Sequence, residues 1–261
     1  TGVVCLGVMG EAHRLNDAER RDVLGAVTRA AGERLTVTVG VSSDSYHLVA
    51  ERAREAQERG ASAVMVAPPR MAKPNEPVLF GYYEAVQSVS EVPIVVQDHP
   101  GETGVFMSPQ FIARLHTELP GARYLKLEDA PTPPKVTHVL NLTGDRMGVL
   151  GGLGGSFLFE ELRRGAAGTM TGFAYPEVLV AVHRKVASGD IDAARKIFYD
   201  WVPYIRYENQ PGLGLSIRKH AMKRRGLISH AGVRPPGPNI DDPTRRELED
   251  ILSLIPAIPG E

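Results

Sequence analysis

The sequence lacks the features that mark membrane proteins, disulfide-rich proteins and nucleic-acid-binding proteins. Its 261 residues include one cysteine, Cys5, which cannot form an internal disulfide and therefore fits a reducing compartment. No apolar run approaches the ~20 residues that a membrane-spanning helix needs, and the polar residues Glu11–Arg14 come too early for a signal peptide. The formal net charge is -1 and no long basic block is present. We therefore predict a cytoplasmic protein that binds neither membrane nor nucleic acid.

The sequence instead alternates repeatedly between short apolar runs and amphipathic segments. Hydrophobic residues make up 43% of the chain, which is enough for one sizeable core. The runs are Val3–Leu6, Leu35–Val39, Ala63–Ala67, Val92–Val96, Ala122–Leu127, Met147–Leu150 and Gly168–Thr171. Short aliphatic runs bounded by Gly, Pro or Asn are typical of buried parallel strands.

Helix start signals lie between the predicted strands. Asn16 stands three residues before Glu19, which is the spacing of a capping box. Ser45 begins a helical segment that should end at Gly60, and Ser108 precedes a proline at the first helical position. Pro176 begins a further helix that should end near Gly189. After that glycine the pattern becomes all-helical, with predicted helices Ile191–Tyr207, Leu213–Arg225 and Pro243–Leu254.

Alternating strand and helix units predict an α/β fold with a parallel sheet. A spacing of about 30 residues per unit suits a (β/α)8 TIM barrel and a doubly wound sheet equally well. Seven predicted strands are one fewer than a closed barrel requires, so we expect that the first βα unit is missing from the chain. We predict two domains, a (β/α) barrel catalytic domain over residues 1–188 and a C-terminal helical extension over residues 189–261.

In parallel α/β folds the functional site lies at the carboxyl ends of the strands. Four groups of residues occupy these positions in the sequence, and we expect them to converge. They are the turn Gly7–Glu11, the segment Gln97–Gly101, the segment Lys126–Asp129 and the glycine-rich run Gly151–Gly155.

Lys126 is the most unusual residue of these groups, because the apolar Tyr124 and Leu125 lead directly into it. Burial depresses the pKa of a lysine and exposes a neutral amine. A neutral amine attacks a ketone to give an imine, and the protonated imine is an electron sink. The alternative is a lysine whose ammonium group extends into solvent at the end of the strand or pairs with Glu128. Position alone does not distinguish this alternative from a reactive neutral amine.

The remaining groups offer weaker signals. The run Gly151–Gly155 could bind a carboxylate or phosphate through its backbone N–H groups, or it could be a tight strand-to-helix turn. Asp98 and His99 are adjacent in a loop, and neighbours in sequence rarely form a catalytic pair. The sequence contains no spacing that indicates a metal site.

At these same four groups the chain resembles the dihydrodipicolinate synthase / N-acetylneuraminate lyase superfamily. Gly7–Glu11 matches the family's G-T-T-G-E turn, which implies that Val8, Met9 and Gly10 bind the carboxylate of a 2-oxo acid. Leu125–Glu128 matches the segment that holds the Schiff-base lysine, here Lys126. Gly151 and Gly152 stand where the family has a glycine facing the bound pyruvoyl group. The resemblance selects the TIM barrel over the doubly wound sheet.

The chain departs from the family pattern at four positions. Gln97 stands in place of the proton-relay tyrosine, and Val8 replaces the first threonine of the turn. The segment Pro69–Met71 lacks the tyrosine that a neighbouring subunit lends, and Glu102 replaces an arginine that holds a substrate carboxylate. These departures argue against lysine-pathway synthase activity and against sialic acid lyase activity.

The segments around Gln97, Lys126 and Glu208 most resemble the sugar-acid dehydratase branch, near L-2-keto-3-deoxyarabonate dehydratase. We therefore predict a Schiff-base lyase that dehydrates a 2-keto-3-deoxy sugar acid, with Lys126, Gln97 and Glu128 as catalytic residues. Glu128, Asp98 and His99 are candidate acid–base groups, and Asp98 and His99 are also expected to bind substrate. The alternatives are a pyruvate-dependent aldolase or condensing synthase, and a non-catalytic relative that binds a 2-oxo acid. The resemblance implies a homo-oligomer, a tetramer or a dimer, and we expect no cofactor and no metal.

Overall fold

The structure is a computed structural model that describes residues 2–259, apart from the side chain of residue 145. Strands and helices alternate along most of the chain. The strands are β1 Gly2–Cys5, β2 Thr36–Gly40, β3 Ala63–Val66, β4 Ile94–Asp98, β5 Ala122–Leu127, β6 Gly148–Gly151 and β7 Gly168–Thr169. The helices are α1 Asp17–Ala31, α2 Tyr46–Glu58, α3 Glu76–Gln87, α4 Pro100–Thr103, α5 Pro109–Glu118, α6 Thr132–Thr143, α7 Leu158–Arg163, α8 Pro176–Ala187, α9 Ile191–Glu208, α10 Gly214–Arg224 and α11 Asp242–Leu254.

The strands form one seven-stranded sheet in chain order, and β1 to β5 pair in parallel. A helix between each pair of neighbouring strands allows this parallel pairing, because parallel strands need a long crossover connection. Strands β3 and β4 are buried along their whole length. Val3 and Val4 of β1 are exposed, contrary to the prediction of a buried strand. The reason is that β1 stands first in the strand order and pairs with β2 alone among the described strands.

Side-chain caps fix the helix starts where the sequence predicted them. The Asn16 side chain accepts a hydrogen bond from the Glu19 backbone, and the Glu19 side chain accepts one from the Asn16 backbone. This is the predicted capping box of α1. Ser45 caps α2 and Ser108 caps α5, each with a side chain that accepts a hydrogen bond from the backbone N–H three residues further on. The three C-terminal helices α9, α10 and α11 also lie within one residue of their predicted bounds.

The chain divides into two compact units. Unit 1 comprises residues 1–150 and 165–167, and unit 2 comprises residues 151–164 and 168–261. The core of unit 1 lies between its strands and helices, with Val64, Val96, Leu125 and Val139 fully buried. The core of unit 2 is helical and aromatic, and Trp201 and Tyr204 lie at its centre. Each unit therefore has its own hydrophobic cluster.

Arg20, on α1, anchors the turn that follows β1 and the carboxyl end of β2. It is buried, and its guanidinium donates to the carbonyls of Ala12 and Gly40 over 3.2 and 2.9 Å. Buried backbone carbonyls require such partners. The helix layer thus fixes backbone at the carboxyl ends of these strands.

None of the helices in residues 2–259 is long and apolar enough to cross a membrane.

Candidate active site

The pairing of β4 with β5 sets Gln97 directly beside Lys126. Successive side chains on a strand point to opposite faces, and neighbouring residues in register point to the same face. Gln97 and Lys126 therefore share one face of the sheet, and Glu128, two residues beyond Lys126, joins them. The Glu128 backbone N–H donates to the Asp98 carbonyl over 2.8 Å, which extends the strand pairing past the end of β5.

One carboxylate oxygen connects these three residues. Oε2 of Glu128 lies 3.1 Å from Nζ of Lys126 and accepts a hydrogen bond of 2.7 Å from Nε2 of Gln97. The side chain of Lys126 is 12% exposed and that of Glu128 is 9% exposed. The lysine is neither fully buried nor free in solvent. It pairs with Glu128, which is one of the alternatives that its position in the sequence left open. An ammonium group beside a carboxylate can give up a proton to that carboxylate, and the neutral amine that results is a nucleophile.

His99 lies next to the same carboxylate. Its Nδ1 is 3.8 Å from Oε2 of Glu128 and is buried without a hydrogen bond among the described residues. This distance exceeds that of a hydrogen bond, so the imidazole is a neighbour of the carboxylate rather than its fixed partner. The structure therefore brings together four predicted residues, namely Lys126, Gln97, Glu128 and His99.

Asp98 lies on the other face of the sheet. It is fully buried, and its Oδ2 accepts a hydrogen bond of 2.6 Å from Nζ of Lys135 on α6. Burial raises the pKa of Asp98 to about 6, while the charge of Lys135 opposes the shift. Because Asp98 pairs with a helix on the face opposite to Lys126, its geometry does not support the predicted role in substrate binding or acid–base chemistry at the lysine.

Lys135 was not anticipated as a residue of this region. Its ammonium group also donates to the carboxylate of Asp129 over 2.7 Å and to the carbonyl of Met107 over 2.6 Å. It thereby joins the ends of β4 and β5 to the segment before α5. A signal was available in the sequence. The buried residues of α6 are Thr132, Lys135, Val136, Val139 and Thr143, which places the lysine on the apolar stripe of the helix.

The turn Gly7–Glu11 follows β1 at the same edge of the sheet as the ends of β4 and β5. Val8–Gly10 form one turn of 3-10 helix, in which Val8 is half-buried and Met9 and Gly10 are exposed. Glu11 closes the turn with φ of 56°, a left-handed conformation that is uncommon outside glycine. The backbone of the turn is thus folded tightly where the resemblance predicts carboxylate binding.

Gly151 and Gly152 belong to unit 2. The carbonyl of Gly151 accepts a hydrogen bond of 2.9 Å from the Met170 backbone, which joins β6 to β7. A Cβ atom on Gly151 would lie 1.8 Å from Oε2 of Glu161, so the buried Glu161 occupies the space of a side chain. Asn209 holds the rest of the turn by donating to the Leu153 carbonyl over 2.8 Å.

Among residues 2–259 there is no group of three His, Cys, Asp or Glu side chains placed to hold a metal ion.

Comparisons of the sequence with known proteins agree with the resemblance. The sequence pattern of the Dihydrodipicolinate synthetase family matches residues 1–255. An L-2-keto-3-deoxyarabonate dehydratase from Azospirillum brasilense is 30% identical over 251 residues, which cover 95% of this chain and 81% of that protein. A 4-hydroxy-tetrahydrodipicolinate synthase from Thermosipho melanesiensis is 28% identical over 255 residues, covering 96% of this chain and 86% of that protein.

Solved structures support the predicted fold class. The dihydrodipicolinate synthase from Rhodopseudomonas palustris superposes with a TM-score of 0.92 at 35% sequence identity, covering 97% of this chain and 86% of that one. A prophage protein of the same family from E. coli K12, solved in complex with pyruvate, superposes with a TM-score of 0.89 at 21% identity over 97% of this chain and 86% of that one. These likenesses confirm the TIM-barrel fold class.

Proposed function

The chain belongs to the dihydrodipicolinate synthetase family of class I, Schiff-base-forming lyases, and from this premise we propose that it removes water from a 2-keto-3-deoxy sugar acid bound as an imine to Lys126. The observation that carries the proposal is the shared carboxylate oxygen of Glu128, 3.1 Å from the Lys126 amine and 2.7 Å from the Gln97 amide. The 30% identity to a dehydratase of a 2-keto-3-deoxy acid supports the substrate class.

Imine formation comes first. Glu128 accepts the ammonium proton of Lys126, and the freed amine adds to the C2 carbonyl. The resulting carbinolamine loses its hydroxyl as water, and Glu128 returns the proton in that step. The products are a protonated imine, one water and a Glu128 carboxylate, which is again able to act as a base.

Elimination across the C3–C4 bond follows. The protonated imine acidifies the C3–H bond, and the Glu128 carboxylate removes that proton to give an enamine. The electron pair of the enamine expels the C4 hydroxyl, which leaves as water with a proton from His99. Gln97 orients the carboxylate by donating a hydrogen bond, since a neutral amide does not relay a proton as a phenol does. The proton that Glu128 took from C3 passes to His99, which restores both groups. Hydrolysis of the protonated imine by one water then releases the unsaturated 2-oxo acid and returns Lys126 to its ammonium form.

Dehydration fits these residues better than aldol cleavage does. Cleavage requires a base at the C4 hydroxyl, and the family's phenol is replaced by Gln97 at that step. Asp98 does not supply the base, because its carboxylate binds Lys135 on the other face of the sheet. The acid–base groups that remain near the Lys126 amine are the Glu128 carboxylate and the His99 imidazole. They can serve as the base and the acid of an elimination.

Two measurements test the proposal. Borohydride reduction in the presence of pyruvate should add one pyruvate-derived group to Lys126, detected by intact mass and peptide mapping, and K126A should remain unmodified. Incubation with 2-keto-3-deoxy-pentonates and hexonates should yield a dehydrated oxo acid and no pyruvate. Pyruvate release without dehydration would contradict the dehydratase assignment. Tight pyruvate binding without an adduct would contradict an enzyme that works through an imine.

A condensing synthase is the second candidate, favoured by the 35% identity to the Rhodopseudomonas palustris dihydrodipicolinate synthase. In that reaction the enamine of pyruvate attacks an aldehyde. Turnover of pyruvate with aspartate semialdehyde, at a rate above that with the 2-keto-3-deoxy acids, would select this candidate.

A further inference from the structure

Lys135, on α6, holds the ends of β4 and β5 together from the face of the sheet opposite to the Lys126 amine. Its Nζ donates to Oδ2 of Asp98 over 2.6 Å and to Oδ2 of Asp129 over 2.7 Å. Asp98 is the last residue of β4, and Asp129 lies two residues after the end of β5. One ammonium group therefore bonds to both strand ends. Because the two carboxylates share this cation, they would repel each other without it.

The residues next to these two carboxylates in the chain carry the groups that surround the reactive amine. Gln97 and His99 flank Asp98. Glu128 directly precedes Asp129, and its carboxylate accepts the hydrogen bond from Gln97. A shift between the two strand ends would therefore move this carboxylate away from the amide and the imidazole. Such a shift affects the rate strongly, because a misplacement of about 1 Å can cost about 10²-fold.

The turn that is predicted to bind the substrate carboxylate has a different support. Arg20 donates to the Ala12 carbonyl over 3.2 Å, and the Ala12 backbone N–H donates to the Gly7 carbonyl over 3.4 Å. The hydrogen bonds described for Lys135 go to other segments, namely the ends of β4 and β5 and the Met107 carbonyl before α5. Loss of the Lys135 ammonium group should therefore affect the reactivity of the amine more than the affinity for a 2-oxo acid.

We propose that Lys135 is a positioning residue for imine formation, and that its ammonium group keeps Gln97, His99 and Glu128 in the arrangement that activates the Lys126 amine. This inference rests on the proposed function only as far as the imine at Lys126, which dehydration and condensation share. It assigns the outer face of the sheet a part in the chemistry of the inner face.

An open pocket of about 450 Å³ gives access to this ammonium group from the outer face, and Lys135 and Asp129 are among the residues that line it. The K135A substitution would add the space of the lysine side chain to this pocket, and the atoms that it removes correspond to propylamine. Propylamine carries a positive charge at neutral pH, as a lysine side chain does. It can therefore enter the pocket and donate to the two carboxylates. 1-Propanol has the same length without the charge.

The test measures the rate at which pyruvate and borohydride modify Lys126, per folded chain, as a function of pyruvate concentration. Circular dichroism gives the folded fraction. K135A should lower the maximal rate by about 10- to 100-fold and change the half-saturating pyruvate concentration by less than about twofold. Propylamine should recover most of the lost rate, relative to wild type at the same amine concentration, and 1-propanol should not.

K185A is the matched control, because Lys185 on α8 also pairs with an aspartate, Asp190, at 2.8 Å, but at an exposed site. It should change neither the maximal rate nor the half-saturating concentration, and propylamine should not accelerate it. D129N keeps the Asp98–Lys135 pair and replaces K135A as the test if K135A does not fold. It should lower the maximal rate by about fivefold, as expected for one hydrogen bond.

A maximal rate within about twofold of wild type in K135A, or in D129N where K135A does not fold, would overturn the inference. A recovery that is no greater with propylamine than with 1-propanol would also overturn it. If pyruvate modifies the wild type and only the variants fail to respond, the proposed function stands without this inference. If pyruvate leaves wild-type Lys126 unmodified, both fall.

Discussion

Lys126 and Glu128 lie two positions apart in the sequence and on the same face of the sheet, with 3.1 Å between Nζ of Lys126 and Oε2 of Glu128. The alternation of a strand places both side chains on the same side, and the hydrogen bond from the Glu128 backbone to the Asp98 carbonyl keeps Glu128 in that register. The proposed nucleophile and its proposed base therefore come from one continuous segment. Gln97, from the neighbouring strand, fixes the orientation of the carboxylate.

We expect E128Q to slow both imine formation and elimination, and to impair elimination more strongly. The amide retains the shape of the side chain but does not accept the C3 proton, so kcat for dehydration should fall by about 10² to 10⁴. Modification of Lys126 by pyruvate and borohydride should be slower, because Glu128 also accepts the ammonium proton, but it should still occur at high pyruvate concentration. Steady-state kinetics and intact mass measure the two effects. E118Q, an exposed substitution, should change neither, and full dehydration activity in E128Q would exclude Glu128 as the base.

Replacement of Lys135 should destabilise the fold strongly. K135M leaves the fully buried Asp98 carboxylate without its cation, and breaking a buried ion pair from one side costs about 3–5 kcal/mol. Urea unfolding followed by circular dichroism measures the free energy of unfolding. The double variant D98N/K135M should lose less than the sum of the single variants, because the unpaired charge is gone. Additive losses would show that the two side chains do not interact.

The Asp98 carboxyl should make the stability of the protein depend on pH. Burial raises its pKa to about 6, whereas an aspartate in an unfolded chain has a pKa of about 3.9. The folded state therefore holds the proton more tightly, and the stabilisation from this group is complete below pH of about 4 and is lost as the pH rises through about 6.

The difference in free energy of unfolding between wild type and D98N isolates this contribution. We expect the difference, wild type minus D98N, to fall by on the order of 2–3 kcal/mol from pH 4 to pH 7. Urea titrations at several pH values in that range measure it. A difference that is constant or rises with pH would mean that Lys135 and not burial dominates the titration.

A methyl group at Gly151 should be poorly tolerated. Its Cβ would lie 1.8 Å from Oε2 of the buried Glu161, so G151A requires a shift of packed atoms and should cost about 1–3 kcal/mol of stability. G10A is the matched substitution in another glycine turn, where no atom lies within 4 Å of the added carbon. It should change the free energy of unfolding by less than about 0.5 kcal/mol. Equal losses in thermal or urea unfolding would refute the steric explanation.

Local signals in the sequence predicted most of the elements correctly. The capping box of Asn16 and Glu19 spans three residues, so its hydrogen bonds could be anticipated without knowledge of the fold. The strand-end position of Lys126 was likewise visible from the apolar run before it. The pairing of Gln97 with Glu128 followed only from the register of β4 and β5, which periodicity does not determine.

The Asp98–Lys135 contact was missed because it joins residues 37 positions apart. Asp98 was interpreted as a loop residue near the substrate, but β4 extends through it, and strand alternation then turns its side chain toward α6. A lysine on a helix is usually solvent-exposed. The position of Lys135 on the apolar stripe of α6 was the one sign that this lysine is buried. That position does not identify Asp98 as its partner.

Arg20 binds the turn after β1 through the carbonyl of Ala12 and the end of β2 through the carbonyl of Gly40. Every residue type has a backbone carbonyl, so these two hydrogen bonds do not depend on the identity of the side chains at positions 12 and 40. A change of side chain at Ala12 therefore leaves this contact in place, whereas Gly40 has no room for a side chain, because a Cβ atom there would lie 2.1 Å from the Leu6 carbonyl oxygen. Sequence variation at Ala12 is therefore compatible with this contact, provided that position 20 keeps its guanidinium.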